Sequence, residues 1–339
     1  MRTLRVAING FGRIGRSFLR ASMRREVSFT VVAVNDVATP EVLAHLLTYD
    51  SAYGVLDVPV VAGDGSMLVG DREITVLSSP DPSALPWRDF EVDVVVESTG
   101  VFTAAAKAHA HLNAGARKVL ISAPASGEDL TIAYGINSAL YDPARHHIVS
   151  NASCTTNSLA ALAKVLHDLV GIDSGLMTTV HAYTQDQNLQ DGPHRDLRRA
   201  RAAAHSIIPT TSGAAQAIGR VLPELDGRLS GFALRVPVLT GSITDLTVTT
   251  TRSTTAADVN AAYAAAAAGE LKDILTYSDA PIVSSDIIGN PASTIFDAPL
   301  TAVSGHTVKV LGWYDNEWGF SNRLIDTVEL LGRGLARAA

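Results

Sequence analysis

Leu4-Arg5-Val6-Ala7-Ile8-Asn9-Gly10-Phe11-Gly12-Arg13-Ile14-Gly15-Arg16 decides how the first half of the chain is read. A short apolar run, Leu4–Ile8, meets three glycines spaced Gly10, Gly12 and Gly15, and a helical pattern near Ile14–Arg24 follows. In a strand–turn–helix unit the first glycine makes the tight turn, the second lets backbone approach a pyrophosphate, and the third allows close helix–strand packing. The helix N-terminus then receives the phosphates. About twenty residues further on, a second apolar run ends in Val34-Asn35-Asp36, where an acid can bond the ribose hydroxyls. An acid there also repels a ribose phosphate, which favours NAD over NADP.

Outward from this unit the pattern repeats. Phe29–Val34, Val92–Glu97, Val119–Ser122 and Ile148–Ser150 read as strands buried on both faces, with helices near Pro40–Tyr49 and Ala104–Ala114 between them. Such alternation predicts a parallel sheet covered on both sides. Gly63-Asp64-Gly65, between Val58–Val61 and Ile74–Val76, predicts an appended hairpin. Beyond position 154 the strands lengthen and alternate apolar with polar, as in Met177–Thr184, Gly231–Val238, Ser242–Arg252 and Val308–Trp313. Ser212–Leu222 and Asp258–Ala268 read as helices, with Thr255 and Asp258 as a capping box for the second. The long polar segment from Gln185 to Ile208 has no clear period, and such loops are usually functional or interfacial. Phe320–Ala339 reads as a helix packing back on the first domain. The expected fold is therefore α/β. A Rossmann-type dinucleotide-binding domain (1–153 and 316–339) is joined to an α+β catalytic domain (154–315) with a mainly antiparallel sheet.

Composition bounds the function. The 339 residues suffice for two domains, and 47% hydrophobic content is ordinary for a globular protein. No segment approaches the ~20 uninterrupted apolar residues of a membrane span. With one cysteine and no secretory leader at the N-terminus, a reducing, cytoplasmic location is expected. The net charge of −7 gives no global basic field for nucleic acid.

That one cysteine, Cys154, stands in Ser150-Asn151-Ala152-Ser153-Cys154-Thr155-Thr156-Asn157, a polar run that opens the helical stretch Leu159–Val170. A thiol on the first turn of a helix faces unpaired N–H groups and the positive dipole end. It is expected to ionise below its free value of ~8.5, and the thiolate is the nucleophile. Thiolate addition combined with a hydride-accepting cofactor implies an aldehyde oxidised while covalently held, from thiohemiacetal to thioester. Met177–Thr184 offers His181 as the base; the other nine histidines read as structural or surface residues. No metal is called for.

Ile8–Arg16, Ser150–Asn157, His181–Thr184 and Trp313–Gly319 together resemble the signature stretches of phosphorylating, NAD-dependent glyceraldehyde-3-phosphate dehydrogenases, and the similarity runs from Arg5 to Leu330. The resemblance implies oxidation of D-glyceraldehyde 3-phosphate to 1,3-bisphosphoglycerate with NAD and inorganic phosphate. It also implies a homotetramer whose long loop reaches a neighbouring subunit's cofactor site. Cys154 would be nucleophile and His181 its base. Backbone of Arg13 and Ile14, within Gly10, Gly12 and Gly15, would meet pyrophosphate. Asn35 and Asp36 would lie at the ribose, Ser98, Thr99, Gly100 and Ser122 around the nicotinamide half, and Asn316 at its carboxamide. Thr184, Asp186 and Arg235 resemble the substrate-phosphate site. Ser153, Thr155, Ser212 and Gly213, with Arg199 nearby, resemble the site for the attacking phosphate. Departures from the family pattern are Ser212, Gln216, Leu239, Phe320, Pro80 and Gly192; three of them are expected near the anion pockets, which suggests a specialised, inhibitor-tolerant isozyme. Rival readings are erythrose 4-phosphate oxidation and a non-enzymatic binding role on the same fold.

Overall fold

The structure is a computed structural model that describes residues 3–337. The chain divides into two compact units: Met1–Ile132, Ser138–Ala152 and Ser321–Ala339 form one, and Ala133–Asn137 with Ser153–Phe320 form the other.

In the first unit Leu4–Asn9 lies centrally in a nine-stranded sheet, parallel to Phe29–Asn35 on one side and to Val94–Glu97 on the other. Lys118–Ile121, Ile148–Ser150 and Leu130–Thr131 extend it in one direction. Arg72–Leu77, Ser66–Val69 and Val60–Gly63 extend it in the other. Val6, Ala7, Ile8, Val94, Val95 and Val96 are all fully buried, as unbroken apolar strands require. The chain thus leaves its first strand in one direction and returns on the other side, the switch point where open α/β sheets bind ligands. The hairpin differs from expectation. Gly63 leads through a tight turn into Ser66–Val69, and Ile74 lies on the next strand, so the excursion has three strands rather than two. The C-terminal helix Trp318–Arg337 ties into this unit through Arg25 to Asp326 at 2.6 Å and Thr327 to Asn151 at 2.8 Å. Its expected last residues, 338–339, lie outside the described residues.

The second unit is an eight-stranded sheet in the order Ile208–Thr211, Leu229–Val236, Ile172–Ala182, Ser242–Thr250, Thr307–Tyr314, Thr294–Asp297, Leu275–Ser278, with Ala302–Ser304 added beside Thr307–Tyr314. Most pairs are antiparallel; Ile172–Ala182 with Leu229–Val236, and Leu275–Ser278 with Thr294–Asp297, are parallel. Helices Cys154–Val170, Ala214–Val221 and Ala256–Ala268 contribute to one buried core with the sheet: Leu159, Leu162, Leu166, Met177, Leu246 and Val310 pack there. The third helix starts as expected, with the Thr255 hydroxyl accepting the Asp258 N–H. Leu176 and Phe232 remain exposed on the sheet. No described helix is long and apolar enough to cross a membrane.

Candidate active site

The chain passes from strand Ile148–Ser150 through Asn151, Ala152 and Ser153 into helix Cys154–Val170. Ala152 has φ +56°, a left-handed value that costs a non-glycine residue energy and marks the turn as held by its surroundings. Ser153 is the N-cap, accepting the Thr156 N–H at 3.0 Å, so Cys154 is the first helical residue. Its Sγ lies 3.5 Å from His181 Nε2 and 4.0 Å from the Thr155 hydroxyl. His181 stands next to last on strand Ile172–Ala182 and donates from Nδ1 to the Ala182 carbonyl at 2.7 Å. A carbonyl can only accept, so the proton sits on Nδ1 and neutral His181 offers the Nε2 lone pair to sulfur.

The parallel register sets His181 opposite Arg235. Arg235 Nη1 donates to the Thr184 hydroxyl at 2.6 Å and to the Ala182 carbonyl at 3.3 Å, while its buried Nε meets no acceptor. Thr184 donates to Asp186, and Arg199 donates to the other oxygen of the same carboxylate. Arg199 also reaches the Thr210 hydroxyl at 2.9 Å and the Thr211 carbonyl at 3.5 Å. Four of the expected anion-binding residues thus form one string, Arg235–Thr184–Asp186–Arg199. Ser212 and Gly213 lie at the start of helix Ala214–Val221, with the Ser212 hydroxyl accepting the Ala214 N–H at 3.3 Å, and no described hydrogen bond joins them to Cys154. Ser153 and Thr155 hydroxyls are already engaged, the first in capping and the second with Tyr314 at 2.9 Å.

The electrostatics correct one expectation. Burial pushes the Cys154 thiol up, against the pull of Arg235, the Thr155 hydroxyl and the helix-start N–H groups. Burial, then Arg235, drives His181 down to about 3, with the Ala182 hydrogen bond opposing. A helix start alone suggested a thiol ionised below its free value. Desolvation outweighs that field, and the proton rests on sulfur with the imidazole neutral beside it.

In the first unit, Gly10 has φ +90°, and a Cβ there would lie 2.6 Å from the Thr99 nitrogen. A Cβ on Gly15 would lie 2.3 Å from the Gly10 carbonyl. Ser98 donates to that carbonyl at 2.6 Å, Asn35 accepts the Gly10 N–H at 2.8 Å through its own carbonyl, and Asp36 accepts the Phe11 N–H at 2.8 Å. Ser122 continues the neighbouring strand end, its N–H donating to the Glu97 carbonyl at 2.9 Å. Gly12 caps helix Arg13–Met23 without a side chain, and a Cβ at Gly12 or Gly100 would meet nothing within 4 Å. Space and uncapped helix N–H groups at Gly12 fit a pyrophosphate. The Arg13 side chain turns to Asp50 at 2.6 Å. In the second unit Asn316 is buried, and its Oδ1 accepts Gly241 N–H at 3.2 Å and the Ser242 hydroxyl at 2.9 Å. That turns its NH2 group, a donor, away from these contacts, where it could meet the carbonyl of a carboxamide partner. The described residues contain no group of His, Cys, Asp and Glu arranged to hold a metal.

Sequence reasoning missed Tyr314 and Ser242. Tyr314 is buried, sets its ring edge-on to His181 with centroids 6.0 Å apart, and links Thr155 to Thr179. The available signal was alternation: Ser242 and Thr244 are small hydroxyl residues at period two, and Ser242 pairs opposite Tyr314.

Comparison with known proteins shows the family. The model of the glyceraldehyde 3-phosphate dehydrogenase NAD binding domain matches residues 4–105, and that of its C-terminal domain matches residues 153–316. Glyceraldehyde-3-phosphate dehydrogenase 2 of Streptomyces arenae is 64% identical over 333 residues, covering 98% of this chain and 100% of the relative. Glyceraldehyde-3-phosphate dehydrogenase 1 of Streptomyces avermitilis is 64% identical over 330 residues, covering 97% and 99%. Glyceraldehyde-3-phosphate dehydrogenase of Mycolicibacterium smegmatis is 58% identical over 340 residues, covering 98% and 100%. With both halves matched by their own models and relatives of this identity end to end, the chain belongs to the glyceraldehyde 3-phosphate dehydrogenase family.

Proposed function

We propose that this chain oxidises D-glyceraldehyde 3-phosphate to 1,3-bisphosphoglycerate, using NAD and inorganic phosphate, with Cys154 as nucleophile and His181 as acid–base. The observation that carries this reading is the 3.5 Å approach of Sγ to an Nε2 whose tautomer is fixed by the Ala182 carbonyl. The S–H proton passes to Nε2 as sulfur attacks the aldehyde carbon, and the imidazolium returns it to the new alkoxide. A thiohemiacetal results. His181 then takes the hydroxyl proton back as the C–H bond breaks with its electron pair, and a thioester remains on Cys154. NAD, when bound, supplies the hydride acceptor. Inorganic phosphate attacks the thioester carbon, the C–S bond breaks, and sulfur recovers its proton.

Around this centre Arg235, Thr184, Asp186 and Arg199 would hold the substrate phosphate, since guanidinium forks and hydroxyls are what a phosphate needs. Ser153, Thr155, Ser212 and Gly213 would receive the attacking phosphate, largely through backbone N–H groups where the hydroxyls are engaged. Gly10, Gly12, Arg13, Ile14 and Gly15 would hold the pyrophosphate, Asn35 and Asp36 the ribose side, and Ser98, Thr99, Gly100, Ser122 and Asn316 the nicotinamide half. The Asp36 carboxylate favours NAD over NADP. A homotetramer in the cytoplasm completes the reading: Leu189 and Leu197, 78% and 81% exposed on the long segment, suit burial against a second copy.

The test is NAD reduction with D-glyceraldehyde 3-phosphate, with and without inorganic phosphate, and with erythrose 4-phosphate in parallel. Turnover that needs phosphate, prefers the three-carbon aldehyde and vanishes in Cys154→Ser is expected. Preference for the four-carbon aldehyde, or undiminished turnover in that variant, overturns the reading.

A further inference from the structure

Asn316 presents one defined group, donor or acceptor, to a carboxamide ligand only while its amide is held one way round. Its Oδ1 faces three groups: the Ser242 hydroxyl at 2.9 Å, the Gly241 N–H at 3.2 Å and the Thr240 hydroxyl at 3.4 Å. Thr240 has one proton, and Asp315 takes it at 2.9 Å, which leaves the longer approach to Asn316 without a donor. Ser242 therefore makes the shortest bond to the amide. No described hydrogen bond uses Asn316 Nδ2.

The same Ser242 oxygen has a second partner. It accepts the Ala182 N–H at 3.1 Å, and Ala182 is the residue whose carbonyl receives His181 Nδ1 and Arg235 Nη1. Ser242 is 1% exposed. Its hydroxyl has one proton to give, and with a backbone N–H occupying its acceptor side, that proton is directed to Asn316. The hydroxyl cannot reverse: donating toward Ala182 would set two donors face to face. Serine at this position thus imposes a polarity on the chain Ala182 N–H to Ser242 to Asn316.

We infer that Ser242 is a positioning residue that locks the Asn316 amide with its NH2 group outward, and so gives the protein its affinity for the nicotinamide end of NAD. The inference rests on the reading of Asn316 proposed above. Without the hydroxyl, Oδ1 keeps only the Gly241 N–H, and the amide is free to rotate and present its oxygen to the ligand's carbonyl. Part of the loss also reaches the Ala182 N–H, a buried donor deprived of its acceptor.

The experiment compares two ligands on the intact protein by titration calorimetry: NAD, and ADP-ribose, which lacks the nicotinamide. Wild type should prefer NAD. Ser242→Ala should erode that preference about fivefold to tenfold, the order of one neutral hydrogen bond, while ADP-ribose affinity stays within twofold. A merely structural loss lowers both affinities together, and that result, or an unchanged preference, overturns the inference. Ser242→Cys, which keeps the side-chain shape with a weaker donor, gives the same readout if the alanine variant does not fold. Asn316→Ala separates the two readings. If it erodes the preference and both Ser242 variants do not, only the inference about Ser242 falls. If it leaves the preference intact, the reading of Asn316 falls and the inference with it.

Discussion

Replacing His181 with asparagine takes away, among the described residues, the one acceptor within hydrogen-bond reach of Cys154 Sγ besides the Thr155 hydroxyl at 4.0 Å. The fold should tolerate the change, because the Ala182 carbonyl that loses Nδ1 keeps Arg235 Nη1 at 3.3 Å. The loss therefore falls on chemistry. A positioned acid–base group contributes roughly 10²- to 10⁴-fold, which is about 2.7–5.4 kcal/mol in the barrier. Burial keeps the thiol protonated, so the variant lacks both the base that removes the S–H proton and the group that takes the hydroxyl proton during hydride loss. Stopped-flow NADH formation in a single turnover reads the second event directly, and a deuterium-labelled aldehyde shows whether C–H cleavage limits it. The expected result is a fall in the single-turnover rate within that range, with an enlarged isotope effect and an altered pH profile. A rate constant and pH profile equal to wild type would refute the assignment of His181.

Four further outcomes are expected. Asp36→Asn keeps an acceptor for the Phe11 N–H but removes the charge, and should raise kcat/KM with NADP about fivefold to tenfold, the ~1 kcal/mol of one exposed charge contact; an unmoved NADP/NAD ratio assigns the preference elsewhere. Gly10→Ala must hold φ +90° with its Cβ 2.6 Å from backbone at Thr99, so the first unit should lose about 1–3 kcal/mol in urea unfolding; wild-type stability would contradict the contact. Arg235→Leu should lower kcat/KM for the phosphorylated aldehyde about 10- to 100-fold and affect unphosphorylated glyceraldehyde far less; equal losses on both argue against a phosphate contact. His181 is held near 3, below its ordinary 6.5, so the unfolded chain binds the extra proton first as pH falls. Stability linked to it is complete above about 6.5 and drains away toward about 3, and thermal unfolding of His181→Asn should be flatter across that window than wild type.

The first unit was readable where strands such as Val94–Glu97 and Lys118–Ile121 are buried on both faces, so each appears as an unbroken apolar run set between helices. Boundaries moved by a residue or two, as at Leu4–Asn9 and Arg13–Met23. Ser66–Val69 was not seen, since two of its four residues are buried and two are not, a stretch too short for a period. Thr294–Asp297 and Leu275–Ser278 escaped for the same reason of length. At the site, Cys154 and His181 were legible from residue type and context, and the Arg235–Thr184–Asp186–Arg199 string came only through family resemblance. The thiol's protonation differs from the sequence expectation because a helix start is visible in sequence and desolvation is not. Ser242 and Tyr314 were hard to single out, because hydroxyl residues are common on half-wet strands and only the pairing register sets Ser242 opposite Tyr314, whose ring meets the imidazole edge-on.

His181 and Arg235 face each other as rungs of adjacent parallel strands, and this has an evolutionary corollary. Their separation is inherited from the spacing common to all paired strands, so no loop has to fold correctly for base and cation to meet. Insertions in the long polar segment that follows can accumulate without disturbing that pair. A single-residue insertion inside either strand cannot, because it would turn one of the two to the opposite side of the sheet. Variation in this family should accordingly spare the lengths of the two strands.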